Sequence, residues 1–231
     1  MKKHLILTAI ILALAAINAL AQTPEPAPVP APSQTPAQVP AQTPEQTPAK
    51  TPTPAQPGHE YSPLVEKKVN YKNWSLVNVR TDQPEDLRDL MKGHRLVMIV
   101  YFAPWCGNWR NEAPIAAKLY EKYKEQGFQV IGVSEYASKA DVKAFFGESG
   151  PPYPVVSESE SRDDRDKTPH FGYRQLTDDK RKWGSPWNIF LDPSKVNASG
   201  DVLTEKAWVV NGELIEDEVD KWIAERLEPS N

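Results

Sequence analysis

Seven consecutive residues, Leu96–Phe102 (LVMIVYF), carry no charge and no strand breaker. A strand with one wet face alternates polar and apolar positions, so an unbroken β-type run fits only a strand buried on both faces. Burial on both faces demands a layer above and a layer below, which predicts helices packed on either side of a sheet. The flanking sequence supplies those elements in alternation. Residues 107–126 read as a helix, with Leu119 and Tyr123 one turn apart and Gly127 as the stop. Phe128–Ser134 (FQVIGVS) reads as the next buried strand. Ser138 and Asp141 resemble a capping box opening a short helix that ends at Gly147. Further strands are predicted at 153–157, 187–192 and 207–210, with an extra strand at 74–79 and a short helix at 84–91. A last helix over 214–227 places Ile215, Val219, Trp222, Ile223 and Leu227 on one face. The fold class is therefore α/β, a central sheet flanked by helices.

The folded part is expected to span 59–231, because what precedes it has other signatures. Residues 1–21 have Lys2 and Lys3, a short apolar run and the triplet Ala19-Leu20-Ala21, the layout of a secretory signal peptide. The run is short for a spanning helix, which needs about 20 apolar residues, and cleavage is favoured over an uncleaved membrane tether. No cysteine follows the cleavage point, which excludes lipoprotein attachment. An exported protein, periplasmic or secreted, is the expectation. From residue 22 to 58, twelve of 37 residues are proline, part of them in four-residue repeats such as TPAQ, VPAQ and TPEQ. Such a segment has almost nothing to bury and is expected to be a disordered, extended linker.

The chain of 231 residues has a formal charge of −4, which argues against nucleic-acid binding. It has one cysteine, Cys106, which excludes an internal disulfide and a thiolate zinc site. The other candidate ligands His59, His94 and His170 have no ligand spacing, so no metal and no cofactor are expected. Cys106 falls just after the buried strand, at the start of the helix. Unpaired N–H groups at a helix N-terminus favour an anion, and a cysteine placed there becomes a better nucleophile. Ligands of α/β sheets bind at this strand-to-helix edge. The alternative is a buried, inert cysteine.

The surrounding residues resemble a known family. Phe102-Ala103-Pro104-Trp105-Cys106-Gly107 is similar to the run that enters the active site of thioredoxins. Arg110, Glu112 and Pro114 resemble the C-R-x-E-x-P ending of the exported TlpA/ResA group, and Gly184-Ser185-Pro186-Trp187-Asn188-Ile189-Phe190-Leu191-Asp192 is similar to that group's G-x-P-x-x-F-L-I-D segment. The resemblance spans about 70–228. It implies a thioredoxin-like fold with a mixed central sheet, and a cis peptide bond before Pro186 beside Cys106. One departure matters. The family's W-C-x-x-C is here Trp105-Cys106-Gly107-Asn108-Trp109, so an indole stands at the position of the resolving cysteine.

A lone thiol cannot close the family's internal disulfide. It can attack a disulfide and wait for an outside thiol, become a sulfenic acid that a foreign thiol reduces, or pair with a second copy into a Cys106-linked dimer. The spacing of a peroxidatic site is missing before Cys106, which argues against efficient peroxide reduction. Partners would be protein thiols or disulfides, or a small thiol. The resemblance implies Cys106 as nucleophile, with Glu112 near it as a proton relay; a solvated helix glutamate is the bland alternative. It also implies that Ser185 and Pro186 dock a substrate strand. Trp105, Trp109, Trp183 and Trp187 all lie within three residues of Cys106 or Pro186, which raises a redox-inactive binding module with a tryptophan-rich groove as the second reading. Residues 157–182, with seven acids and seven bases, read as a mobile charged insertion, with His170 able to approach Cys106.

Overall fold

The computed structural model describes residues 58–228; the expected leader at 1–21 and the proline-rich stretch up to residue 57 lie outside the described residues. In chain order the elements are β1 (Tyr61–Ser62), β2 (Val65–Lys72), β3 (Ser75–Asn78), β4 (Pro84–Asp86), α1 (Leu87–Met91), β5 (Leu96–Phe102), α2 (Gly107–Tyr123), β6 (Phe128–Ser134), α3 (Lys139–Phe146), β7 (Val155–Ser157), α4 (Pro169–Thr177), β8 (Trp187–Leu191), β9 (Val202–Val210), β10 (Glu213–Leu214) and α5 (Glu216–Leu227). Eight strands form a mixed sheet in the order β2-β9-β8-β5-β6-β7-β3-β4. The joins β5–β6 and β6–β7 are parallel, and the others are antiparallel. A two-residue parallel bridge joins β1 to β10. This is the thioredoxin-like α/β fold.

All seven residues of β5 are buried, and they divide between two cores. Met98, Val100 and Phe102 face α2 and α5, where they meet Leu119, Tyr123, Val219 and Ile223. Val97, Ile99 and Tyr101 face the other layer, where they meet Leu87, Met91 and Tyr173. Each core residue of this size contributes about 1.5–3 kcal/mol by leaving water, and the two-sided burial fixes the strand at the sheet's centre.

Several boundaries differ from expectation. The α2 helix stops at Tyr123 and a 3₁₀ turn, Lys124–Gln126, leads to Gly127 in the left-handed region (φ 93°). The strand expected at 207–210 is the C-terminal half of the longer β9. The region 84–91 splits into β4 and α1. The larger correction concerns 157–182, which is not a loop throughout. Within it α4 is capped by Thr168, whose hydroxyl accepts a hydrogen bond from the Phe171 N–H at 3.1 Å. Its inner face is His170, Tyr173, Arg174 and Thr177, all buried. The Arg174 guanidinium is buried against Asp179, with Nε 3.1 Å from the carboxylate. Three of the four buried residues, His170, Arg174 and Thr177, are types that pattern reading assigns to solvent, which is why the stretch reads as a charged loop.

Candidate active site

Cys106 is the residue before α2, in extended backbone (φ −77°, ψ 128°), with Gly107 opening the helix. Its N–H donates to the Ala103 carbonyl at 2.9 Å, a tight turn off the end of β5 that leaves the side chain half-buried. The thiol donates to the Ser185 carbonyl at 3.1 Å. The Ser185–Pro186 bond is cis. Two loops far apart in sequence are thus joined at the sulfur, and a second stitch holds them: the Ala103 N–H donates to Ser185 Oγ at 2.9 Å. Gly184 has φ +57°, and a Cβ there would overlap the buried Arg174 guanidinium, so both backbone and space call for glycine. Arg181 braces the far side, donating to the Pro186 carbonyl at 2.8 Å while held by Asp179 at 2.8 Å and Glu60 at 3.3 Å.

Trp105 and Trp183 are half-buried beside the thiol and pack edge to face, with ring centroids 5.2 Å apart. The Trp105 indole donates to the Tyr136 carbonyl at 3.1 Å. Trp109 and Trp187, expected in the same groove as substrate contacts, are instead fully buried. Trp109 stacks on Phe102 with centroids 4.4 Å apart, because a residue three positions past Cys106 on α2 points inward at the sheet. Trp187 opens β8 on the opposite face of the sheet, edge-on to Tyr101 at 5.5 Å, with its indole N–H donating to Asn211 at 2.8 Å. Two indoles, not four, remain at the site's surface.

Glu112 is buried, not solvated. One carboxylate oxygen accepts from the Leu214 N–H at 2.7 Å and from the Asn188 amide at 3.3 Å, while the other has no hydrogen-bond partner among the described residues. Burial pushes its pKa up to about 8 against the opposing pull of those two donors. Glu112 therefore pins α2 to β8 and β10 and keeps its proton at neutral pH.

His170 does not reach Cys106. It is buried on the Tyr101 ring, 4.7 Å between centroids, with Nδ1 3.3 Å from the Tyr136 hydroxyl. Burial and the neighbouring Arg174 charge hold it well below the usual histidine range, so it is neutral. Two further acids, the buried Glu135 and the half-buried Glu158, lie in the same polar cluster and are shifted upward, mainly by burial. Glu135 accepts from the Ser159 hydroxyl and Glu158 from the His170 N–H. Sequence reasoning missed this cluster, along with Asn188, Arg174 and Arg181. Its members are scattered over strand ends and α4, and only the fold brings them together. Among the described residues no three His, Cys, Asp or Glu side chains are grouped to hold a metal ion.

The chain is similar in part to known thiol–disulfide proteins. The probable protein disulfide-isomerase A4 of Caenorhabditis elegans is 34% identical over 95 residues, 40% of this chain and 15% of that protein. The thiol-disulfide oxidoreductase ResA of Bacillus anthracis is 34% identical over 71 residues, 31% of this chain and 40% of ResA. Each match thus spans less than half of the relative's length. Among solved structures, a thiol:disulfide interchange protein of the thioredoxin family from Chlorobium tepidum superposes with a TM-score of 0.49 at 21% identity, covering 70% of this chain and 97% of that one. Residues 69–195, more than half of the sequence and the whole stretch from Cys106 to the Ser185–Pro186 bond, match the AhpC/TSA family, to which this chain belongs.

Proposed function

We propose that the chain is an exported thiol–disulfide exchange protein that works through the single thiol of Cys106. The observation that carries the reading is the 3.1 Å contact between the Cys106 thiol and the carbonyl of the cis Ser185–Pro186 bond, with the sulfur half-buried at the start of α2. The first turn of α2 directs its free N–H groups toward the sulfur's end of the helix. The Cys106 thiolate attacks one sulfur of a substrate disulfide. That S–S bond breaks, a Cys106–substrate disulfide forms, and the other substrate sulfur leaves as a thiolate that takes a proton from solvent. An outside thiolate, from a protein or a small thiol, then attacks the substrate sulfur in the mixed disulfide and frees Cys106. Trp109 occupies the place from which an internal thiol would have done this.

Ser185 and Pro186 present the backbone on which an extended substrate strand docks, and Trp105 flanks it. Glu112 is a positioning residue in this reading: it touches β8 and β10, and holds α2 and the Cys106 turn in register. The same surface supports the second reading, a binding module, through the half-buried Trp105 and Trp183.

Trapping tests the proposal. With no internal resolving thiol, the wild-type protein accumulates mixed disulfides with its partners, visible on non-reducing gels, and Cys106→Ser abolishes them. Capture of the same partners by the serine variant would replace the exchange reading with the binding module. A Cys106-linked dimer, resolved by reductant, would show as a band of twice the mass lost in the same variant.

A further inference from the structure

Trp105, the residue before Cys106, lines a cleft of about 490 Å³ together with Pro104, Arg110, Asp141, Phe145 and Arg162. Two of those residues are guanidinium groups with no ion pair among the described residues, in a chain whose net charge is −4. Both are held over aromatic rings. The Arg162 guanidinium sits 4.0 Å above the Trp105 ring, and that of Arg110 sits 5.4 Å from the Phe145 ring. Stacking of this kind orients a guanidinium while leaving its N–H edge free to bind an anion. The one acid in the lining, Asp141, accepts from the Ser138 hydroxyl at 2.7 Å and keeps its charge, so the two guanidinium groups leave the lining net positive. Beyond Trp105 the basic rim continues with Lys182, 5.4 Å from the Trp183 ring and also without an ion pair.

The placement relative to the sulfur is specific. Arg110 follows Cys106 by one helical turn, its N–H donating to the Cys106 carbonyl at 3.1 Å, and residues four apart on a helix stand about 5–6 Å apart on one face. An extended peptide advances roughly 3.3 Å per residue, so a side chain one or two residues from a cysteine docked at Cys106 comes within reach of Arg110, one helical turn on.

We infer that this cleft selects the substrate: it takes a carboxylate side chain lying one or two residues from the substrate's reactive cysteine, held by Arg110 and Arg162 against the Trp105 and Phe145 rings. The inference rests on the exchange reading for its orientation, because it assumes the substrate sulfur lies at Cys106. The site thus prefers disulfides in acidic polypeptide segments.

The test uses three synthetic disulfide peptides that differ only at the residues flanking the cysteine: glutamate, glutamine or lysine. Formation of the Cys106–peptide adduct is followed by mass and by release of the leaving thiol. The same three sequences with serine for cysteine are titrated against Cys106→Ser protein by the change in tryptophan fluorescence. The expected result is that the glutamate peptide reacts and binds about five- to tenfold better than the glutamine one, with lysine worst, as two partly exposed carboxylate–guanidinium contacts would give. The difference shrinks in high salt and disappears in the double variant Arg110→Gln, Arg162→Gln. Adducts formed equally fast with all three peptides, or binding without charge preference, would overturn the inference and leave exchange standing. Binding that follows charge with no adduct on any peptide would uphold the cleft and overturn the exchange reading instead.

Discussion

Glu112 carries its proton into a core where it has two donors and one empty lone-pair face. Its pKa of about 8 in the folded chain lies above the ordinary 4.5, so between those values the folded chain holds a proton that the unfolded chain has lost. Its contribution to stability is full below pH 4.5 and is lost as the pH rises through 8. His170 has the opposite sign: depressed below its ordinary 6.5, it contributes above that value and loses its contribution as the pH falls. Above pH 6.5 the histidine is silent, which isolates the carboxyls. Between pH 6.5 and 8 the parent protein should lose roughly 1.5 kcal/mol more than Glu112→Gln, a difference of about 3–6 °C in Tm over that interval. The amide keeps the bond from the Leu214 N–H, so the comparison isolates the proton. Thermal melts of both proteins across this range check it, and parallel slopes would show that Glu112 does not titrate there.

The elements differ in how openly they announce themselves. The α2 helix was legible from its apolar spacing and from the strand before it, whereas the destination of Trp109 was not, since sequence places it next to Cys106 and only the inward twist of the helix buries it on Phe102. Restoring the family's second cysteine by Trp109→Cys therefore removes a packed indole. It should destabilise the chain by about 3–5 kcal/mol in denaturant titrations, as other large-to-small core changes do. A variant as stable as the parent would mean that the indole is not packed as described. Elsewhere legibility followed chemistry. Leu96–Phe102 was readable to the residue because burial on both faces leaves an unbroken apolar run. The edge strand β2 was missed because Lys67 and Lys68 interrupt its alternation and a register shift lies between Lys68 and Tyr71. The α4 helix was missed because it buries His170, Arg174 and Thr177, residues that pattern reading assigns to solvent. In the site, Cys106 and the Ser185–Pro186 bond were legible as motifs; the guanidinium groups around them were not, because their roles depend on which rings they cross.

At the larger scale, both hydrophobic cores draw their buried members, among the described residues, from residues 64–227. A chain beginning at Gly58 should consequently melt within about 2 °C of the full-length protein, the shift expected for less than 1 kcal/mol in a domain of this size. Calorimetry of the two chains checks it, and a fall of several degrees would assign structural weight to the residues before 58.

The indole packed on Phe102 has a consequence for timing. A paired-cysteine enzyme ejects its cargo at a rate written into its own geometry, the same in any surroundings. In the proposed exchange nothing inside the fold can cut the cargo loose, so each copy would hold one passenger for as long as the neighbourhood leaves it alone. Its dwell time would then be a readout of how much free sulfhydryl the surroundings contain.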